Sequence, residues 1–593
     1  TITFNGEIYN FLDLRKDLEA SGCVLNGGSD TEVLLNYYNY VNRDIVSLLN
    51  KCNGMFAFSI IDTSKKKLFI ARDRLGVKPL FYSKTKNSIF FSSEIKALKK
   101  ILPNLPTLSK EAVLAYLKLG FVPGWLSIYD EIKSLQPGSY GVFDFETGSL
   151  KISKYWKPQS KENLQNKSLN EYKIIANEIL EDATKIRLNS DVPISLFLSG
   201  GIDSGLVASK ISSIGSSSDI FANTIRFPDW KNDESKLAQE TADFLGIKLL
   251  IHDAKPLNSQ KLFDIIGHFD EPFADSSQIP TFFVSQAAKK EVTVSLSGDA
   301  GDELFGGYNR YLWAPKLWKR VAWMPFRTRK AVGAMIGKVP INFWDKIGSS
   351  YNFVQQKTRG VSRLGDKVSK TALRLSNVDS LDSLYRSLVC EWPNTNDLVK
   401  QDQGYTNDDS NLISLIEDPL PDYGLDDPLS RMMYWDTISY LPDDILCKVD
   451  RAAMGNSLET RVPFLDHRIA ELAQKIPVHM KIQNGIGKSV LRNILYKYVP
   501  RELIERPKAG FGIPLGSWLR GPLKNWVEDL LNPVRIEKEG FLNAEIVNTI
   551  WREHLSGKRD WSFRVWSIVI FQQWLESHQQ QEGQRCTNQH PRR

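Results

Sequence analysis

The chain has 593 residues, too many for one ordinary core, so two or more domains are expected. Its 42% apolar and 24% charged residues fit a water-soluble globular protein, and the net charge of +7 is small for this length, with Lys and Arg read as dispersed, not gathered into a nucleic-acid patch. No apolar run is long enough to span a bilayer, the five scattered cysteines form no CxxC pair and point to a reducing compartment, and the seven histidines show no zinc-ligand spacing.

Helical periods run over residues 10–21 and 30–41. Short strand-like runs bounded by polar turn residues follow at 55–62, 67–71 and 88–92. Residues 1–155 therefore read as one strand-rich domain, and the polar stretch 156–169 as a linker. From 170 onward strand and helix patterns alternate, the signature of a parallel α/β sheet, with strands at 194–198, 220–225 and 292–296. Beyond about 310 the chain reads mostly helical. This second domain extends over 170–578, and the polar tail 579–593 is expected to be disordered.

The strand at 194–198 runs into Ser199-Gly200-Gly201-Ile202-Asp203-Ser204, and a helical run follows. Adjacent glycines let backbone N–H groups approach an anion closely, and the helix N-terminus adds a positive dipole end. The serine hydroxyls can donate to phosphate oxygens, and Asp203 can hold Mg²⁺. No lysine follows the glycines, so this is not a Walker A loop. A second acidic, glycine-rich loop, Ser297-Gly298-Asp299-Ala300-Gly301-Asp302-Glu303-Leu304-Phe305-Gly306-Gly307-Tyr308, follows the strand at 292–296. Ligands of open α/β sheets bind at the carboxyl ends of the strands, so both loops are expected at one crevice, where Asp203 and Asp302 can share a Mg²⁺ bound to ATP. Further along, Gly487-Lys488-Ser489 mimics a phosphate loop but lacks the required earlier glycine; Ile482 stands there.

These loops occur in order with Asp270-Glu271-Pro272-Phe273-Ala274-Asp275-Ser276-Ser277, the segment Asn456–Asp466, and Arg506-Pro507-Lys508-Ala509-Gly510-Phe511-Gly512. Together they resemble the synthetase domain of glutamine-dependent asparagine synthetases. The resemblance implies an ATP-pyrophosphatase, Rossmann-like α/β domain with a helical C-terminal part. It implies that aspartate attacks the α-phosphate of ATP, that pyrophosphate leaves, and that ammonia displaces AMP from a β-aspartyl adenylate. By matching position, Leu198, Ile225, Ser297 and Gly298 contact the nucleotide. Ser199, Gly200, Gly201 and Ser204 hold the pyrophosphate, and Asp203 and Asp302 carry the metal. Asp299 takes part in adenylate formation and ammonia attack, Lys508 stabilises phosphate charge, and Lys488 falls in a segment near the nucleotide. Gly205 and Ala300 replace a more usual serine and glycine.

Asn5-Gly6-Glu7-Ile8-Tyr9-Asn10 and Ser29-Asp30-Thr31-Glu32 resemble the glutamine pocket of the same family. The implied domain is an N-terminal-nucleophile glutaminase of stacked antiparallel sheets. Asn5 and the Gly6 N–H suit an oxyanion hole, and the anions Glu7 and Asp30 suit the ammonium of glutamine. The family's nucleophile is an N-terminal cysteine upstream of the segment at Asn5, and the chain begins at Thr1. The expectation is therefore an incomplete, N-terminally truncated glutaminase domain that has lost glutamine hydrolysis. Cys23 and Cys52 read as small apolar residues, not as the nucleophile.

The expected reaction is amidation of L-aspartate with ATP and Mg²⁺, the nitrogen coming from L-glutamine in a full-length parent and from ammonia in this chain. The alternative is a related amidotransferase acting on another carboxylate, such as a sugar acid, because motifs that read phosphates do not read the acceptor. Neither nucleic acid nor membrane is expected as a partner, the location expected is cytoplasmic, and a homodimer is left open.

Overall fold

The computed structural model describes residues 1–158, 167–215, 220–227, 233–254, 257–340, 343–347, 364–392, 395, 397–400, 427–505 and 512–588. The first domain is built on eight strands: β1 (Ile2–Ile8), β2 (Gly54–Asp62), β3 (Lys67–Arg72), β4 (Phe81–Lys84), β5 (Ile89–Ser92), β6 (Lys133–Ser134), β7 (Ser139–Asp144) and β8 (Leu150–Lys154). They form an antiparallel sheet in the order β1-β2-β3-β7-β8 and a smaller one in the order β5-β4-β6. Alternation explains the layering. Phe56, Phe58, Ile60 and Phe69 pack with Leu14, Leu34 and Leu48 of the helices Phe11–Ala20, Asp30–Tyr40 and Ile45–Lys51. The intervening Ala57, Leu68 and Ile70 meet Leu80, Leu135 and Tyr82 on the side of the smaller sheet.

The second domain holds a parallel sheet of β9 (Ile194–Phe197), β10 (Phe221–Arg226), β11 (Leu249–Asp253), β12 (Val294–Leu296) and β13 (Glu459–Arg461), in the order β11-β10-β9-β12-β13. Ile194, Leu196, Val294 and Leu296 are all buried, as strands covered on both faces require. Chain order reverses between β9 and β12, the strands that precede the two glycine loops. Their carboxyl ends form the topological switch point, where a crevice opens in an open α/β sheet. The edge strand β13 had no counterpart among the expected strands; it lies inside the Asn456–Asp466 motif.

The long helix Ser562–Asn588 closes the molecule. It continues into the stretch 579–593 that the sequence marked as disordered, which corrects that expectation as far as Asn588. Trp566 and Phe571 of this helix are fully buried, and Tyr116 of the first domain donates to the Ser567 carbonyl at 2.7 Å.

The seam between the domains is polar. Lys78 pairs with Asp450 at 3.0 Å, Asn53 Nδ2 donates to Asp466 at 2.9 Å, and Arg461 of β13 reaches Glu7 of β1 at 3.3 Å. Carboxylates of the second domain also cap backbone amides of the first: Asp443 accepts from Gly124 N, Glu271 from Ile128 N, both at 2.7 Å, and Asp270 from Ile95 N at 2.9 Å. Burial pushes the Glu271 carboxyl up from 4.5 to about 8, against the Ile128 hydrogen bond. A carboxyl raised above its unfolded value keeps its proton longer when folded. The contribution of Glu271 to stability therefore falls as pH rises from 4.5 to about 8 and levels off above that window. Glu271→Gln is expected to flatten this fall, seen as a smaller drop in melting temperature across the same pH range; an unchanged slope would show that Glu271 does not contribute to it.

Candidate active site

The loop after β9 is held from within. Ser199 N–H donates to Ser204 Oγ at 3.1 Å, Gly201 N–H donates to Ser199 Oγ at 3.1 Å, and the two hydroxyls meet at 3.0 Å. The helix Ile202–Ile214 starts here and aims its N-terminus at the crevice. A Cβ at Gly200 would come 2.6 Å from Leu237 Cβ, and one at Gly298 would come 2.6 Å from the Ser204 nitrogen. Both glycines are therefore needed for close approach, and Gly298 is what seats the β12 loop on the β9 loop. In that second loop Ser297 Oγ bonds Asp299, and Ala300 takes the left-handed region with φ 72°. A non-glycine residue there stores about 1–2 kcal/mol of strain.

Asp203 and Asp302 come together, and a cation stands between them. Lys488 Nζ pairs with Asp203 and lies 2.6 Å from Asp302 Oδ1, with its side chain buried. Burial opposes the charge, but the two carboxylates outweigh it and raise the ammonium above its ordinary value. The structure thus joins three loops at one charge cluster: those after β9 and β12, and the one before the helix Ser489–Leu495.

Leu198, Ser199, Gly200, Gly201, Asp203, Ser204, Ile225, Ser297, Gly298, Asp299 and Asp302 all line one cleft of about 770 Å³. Its far wall was not read from the sequence. Lys448 Nζ bonds Asp275 at 3.0 Å and Ser277 Oγ at 2.9 Å. Burial opposes its charge as well, and Asp275, Asp444 and Asp299 outweigh it. Tyr440 comes from a π-helix, Asp436–Leu446, whose wide turns carry Pro442 without a donor. Glu303 is pushed up to about 7 by burial, Asp302 adding to the effect. Lys508 lies outside the described residues. A second cavity, of about 850 Å³, opens beside the first around Ile225, His252, Lys261 and Lys290; apart from Ile225 it takes in none of the loop residues.

Two carboxylates already holding a cation, beside a helix N-terminus, fit a magnesium ion that takes its remaining ligands from phosphate and water. No cluster of three or more His, Cys, Asp or Glu side chains that could hold a metal exists among the described residues.

Asn5, Gly6, Glu7 and Asp30, expected from the sequence to hold glutamine, lie about the seam. Gly6 has φ 144°, and a Cβ there would strike the Met55 carbonyl oxygen. Asn5 Nδ2 donates to Ser93 Oγ at 2.9 Å, and Asp30 accepts from Ile8 N at 3.0 Å. Glu7 is raised from 4.5 to about 7 by burial, with Arg461 opposing and Asp30 adding. Cys52 is buried and its thiol pushed up to about 12 by that burial, so it is no nucleophile.

Residues 1–156 match the glutamine amidotransferase domain family, and residues 176–576 match asparagine synthase. The chain belongs to the asparagine synthase family. It is 32% identical to asparagine synthetase [glutamine-hydrolyzing] 1 of Bacillus subtilis over 97% of this chain and 85% of that one. It is 30% identical to a putative asparagine synthetase [glutamine-hydrolyzing] of Mycobacterium bovis over 97% and 84%. A more distant relative is the amidase chyE of Penicillium rubens, 26% identical over 91% and 80%. The glutamine amidotransferase match begins at residue 1. The expectation of a truncated domain, and with it of lost glutamine hydrolysis, finds no support in this match.

Two substitutions test the cleft. Gly298→Ala is expected to force the loops apart, costing about 1–3 kcal/mol of stability and abolishing the thermal shift given by magnesium pyrophosphate. Lys488→Met removes the cation that stands between two adjacent carboxylates and is expected to cost roughly 3 kcal/mol. Added Mn²⁺ should recover more melting temperature in this variant than in the wild type; equal responses would show that Lys488 and the metal do not share a place.

Proposed function

We propose that the chain is an ATP-dependent amide-forming ligase that converts L-aspartate to L-asparagine through a β-aspartyl adenylate. The observation that carries this reading is the meeting of both glycine loops, with Asp203 and Asp302, at the switch point of the parallel sheet. ATP enters with its base near Leu198 and Ile225 and its phosphates on the Ser199–Ser204 loop. The acceptor's carboxylate oxygen attacks the α-phosphorus, the bond to the β-phosphate bridging oxygen breaks, and pyrophosphate leaves. Backbone N–H groups of the Ser199–Ser204 loop and the two serine hydroxyls receive its charge. Asp203 and Asp302 would hold magnesium, which would supply charge neutralisation on the phosphates. Ammonia then attacks the acyl carbon, AMP departs, and the Asp299 carboxylate accepts the proton released by the amine. Lys508 is proposed to steady the phosphate charge in the same step. Lys448 supplies the cleft's far wall with a fixed cation.

Ammonia is free, or is released from glutamine in a pocket where Asn5 and Gly6 hold the oxyanion and Glu7 and Asp30 the ammonium. Arg461 ties that pocket directly to β13 of the ligase sheet. A second reading is amidation of a different carboxylate, because loops that bind phosphates do not select the acceptor.

The test is incubation with ATP, Mg²⁺ and aspartate, with ammonium or glutamine in separate arms, following asparagine and pyrophosphate. Asparagine in the ammonium arm is expected, and asparagine in the glutamine arm measures the first domain. Pyrophosphate release with another acid but never with aspartate would replace the aspartate assignment by the second reading. Asp299→Asn is expected to lower kcat by about 10²–10⁴ while melting stays close to wild type; unchanged kcat would remove Asp299 from the proton transfer.

A further inference from the structure

Two helices that lead away from the cleft carry an unusual outer face. Between Asn309 and Lys338 the chain has eight Lys and Arg and no Asp or Glu, a local excess larger than the +7 of the whole chain. Arg310 is tied to Asp436, and Arg329 is buried against the Met324 and Val378 carbonyls. The other six, Lys316, Lys319, Arg320, Arg327, Lys330 and Lys338, are exposed, and none pairs with a carboxylate among the described residues.

Large apolar side chains stand among these cations: Trp313 is 66% exposed, Trp323 75%, Met335 63% and Phe326 36%. The helix Asn309–Val321 buries Tyr311 and Ala314, while Trp313, Lys316 and Arg320 recur at steps of three and four residues and share its outer side. Trp323 follows in the next turn, its indole N–H donating to the Arg320 carbonyl at 2.8 Å. In the helix Phe326–Lys338 the buried side is marked by Arg329 and Gly333. A Cβ at Gly333 would lie 2.6 Å from the Ala372 carbonyl oxygen of the helix Leu364–Asn377.

Single exposed tryptophans are ordinary; tryptophan, methionine and phenylalanine rimmed by cations that have no carboxylate partner among the described residues are not. A nucleic-acid backbone would use the cations and leave Met335 and the aliphatic surface without purpose. An anionic lipid surface uses both, with indole rings at headgroup depth and Lys and Arg on the phosphates. We propose that this two-helix face docks the protein on an anionic lipid surface. The proposal departs from the sequence expectation of no membrane partner, which rested on the lack of an apolar run long enough to span a bilayer. No described helix is long and apolar enough to cross a membrane, so docking is peripheral. The helix Asn309–Val321 also lines the nucleotide cleft through Asn309 and Leu312, so the docked element is one wall of the cleft.

The test is sedimentation of the full chain with vesicles of phosphatidylcholine alone or mixed with phosphatidylglycerol, at low and raised salt. Binding to the mixed vesicles is expected to exceed binding to neutral ones by roughly tenfold or more at low salt, and to weaken as salt rises. The pair Lys319→Glu and Arg320→Glu should abolish it. The pair Trp313→Ser and Trp323→Ser should lower it by about tenfold with amidation activity kept, because neither ring touches the cleft. Equal binding to both vesicle types, or none to either, would overturn the proposal. So would preferential capture of single-stranded RNA by the same face. Carbodiimide cross-links from Lys316 or Lys319 to residues 401–426, which hold seven Asp and Glu and no Lys or Arg, would instead assign the face to that segment, if vesicle binding is absent.

Discussion

The ammonium of Lys488 between Asp203 and Asp302 is the interaction on which the second domain's architecture turns. Two carboxylates brought close in a partly dry cleft repel strongly unless a cation compensates them. That need fixes three separate loops relative to one another, and glycine makes the approach feasible. Gly298 admits the Ser204 backbone, Gly301 faces Asp203, and Gly307 leaves room for Asp302 and the Lys488 stem. The cluster also explains why the same place suits a divalent ion: the structure is already arranged to hold positive charge there.

The seam follows a similar logic with weaker charges. Asp443, Glu271 and Asp270 accept backbone amides of the first domain, and Lys78, Arg461 and Arg451 cross the boundary to carboxylates. Such polar contacts add little net stability compared with apolar packing, but they fix orientation. Orientation matters here, since Glu7 of β1 shares Arg461 with Glu459 of the second domain's parallel sheet. The C-terminal helix adds the apolar part of the junction through Tyr116 and Phe571.

Much of the cleft was legible in the sequence because local chemistry demanded it. An apolar run into Ser-Gly-Gly, and another into Ser-Gly-Asp, read as strand, turn and helix, and the structure places both at adjacent strand ends. The helices at Phe11–Ala20 and Asp30–Tyr40 followed from periodicity in the same way. What escaped depended on distant partners. Lys448 matters because the fold sets Asp275 and Ser277 beside it, more than 170 residues earlier in the chain. Lys488 could be placed near the nucleotide but not between two aspartates. The three residues of β13 are too few for a strand pattern, and a π-helix containing Pro442 has no periodic signal. The basic face at Asn309–Lys338 was hidden by averaging charge over the whole chain, and the helix through Asn588 by reading a polar tail as disorder.

The central claim is that this cleft activates a carboxylate as an acyl adenylate. The most direct measurement supplies aspartate labelled with ¹⁸O in its β-carboxylate, together with ATP, Mg²⁺ and ammonium, and weighs the AMP formed. Attack of that carboxylate on the α-phosphorus predicts one ¹⁸O in the AMP phosphate for each asparagine made. Unlabelled AMP, or ADP with labelled inorganic phosphate, would contradict the account.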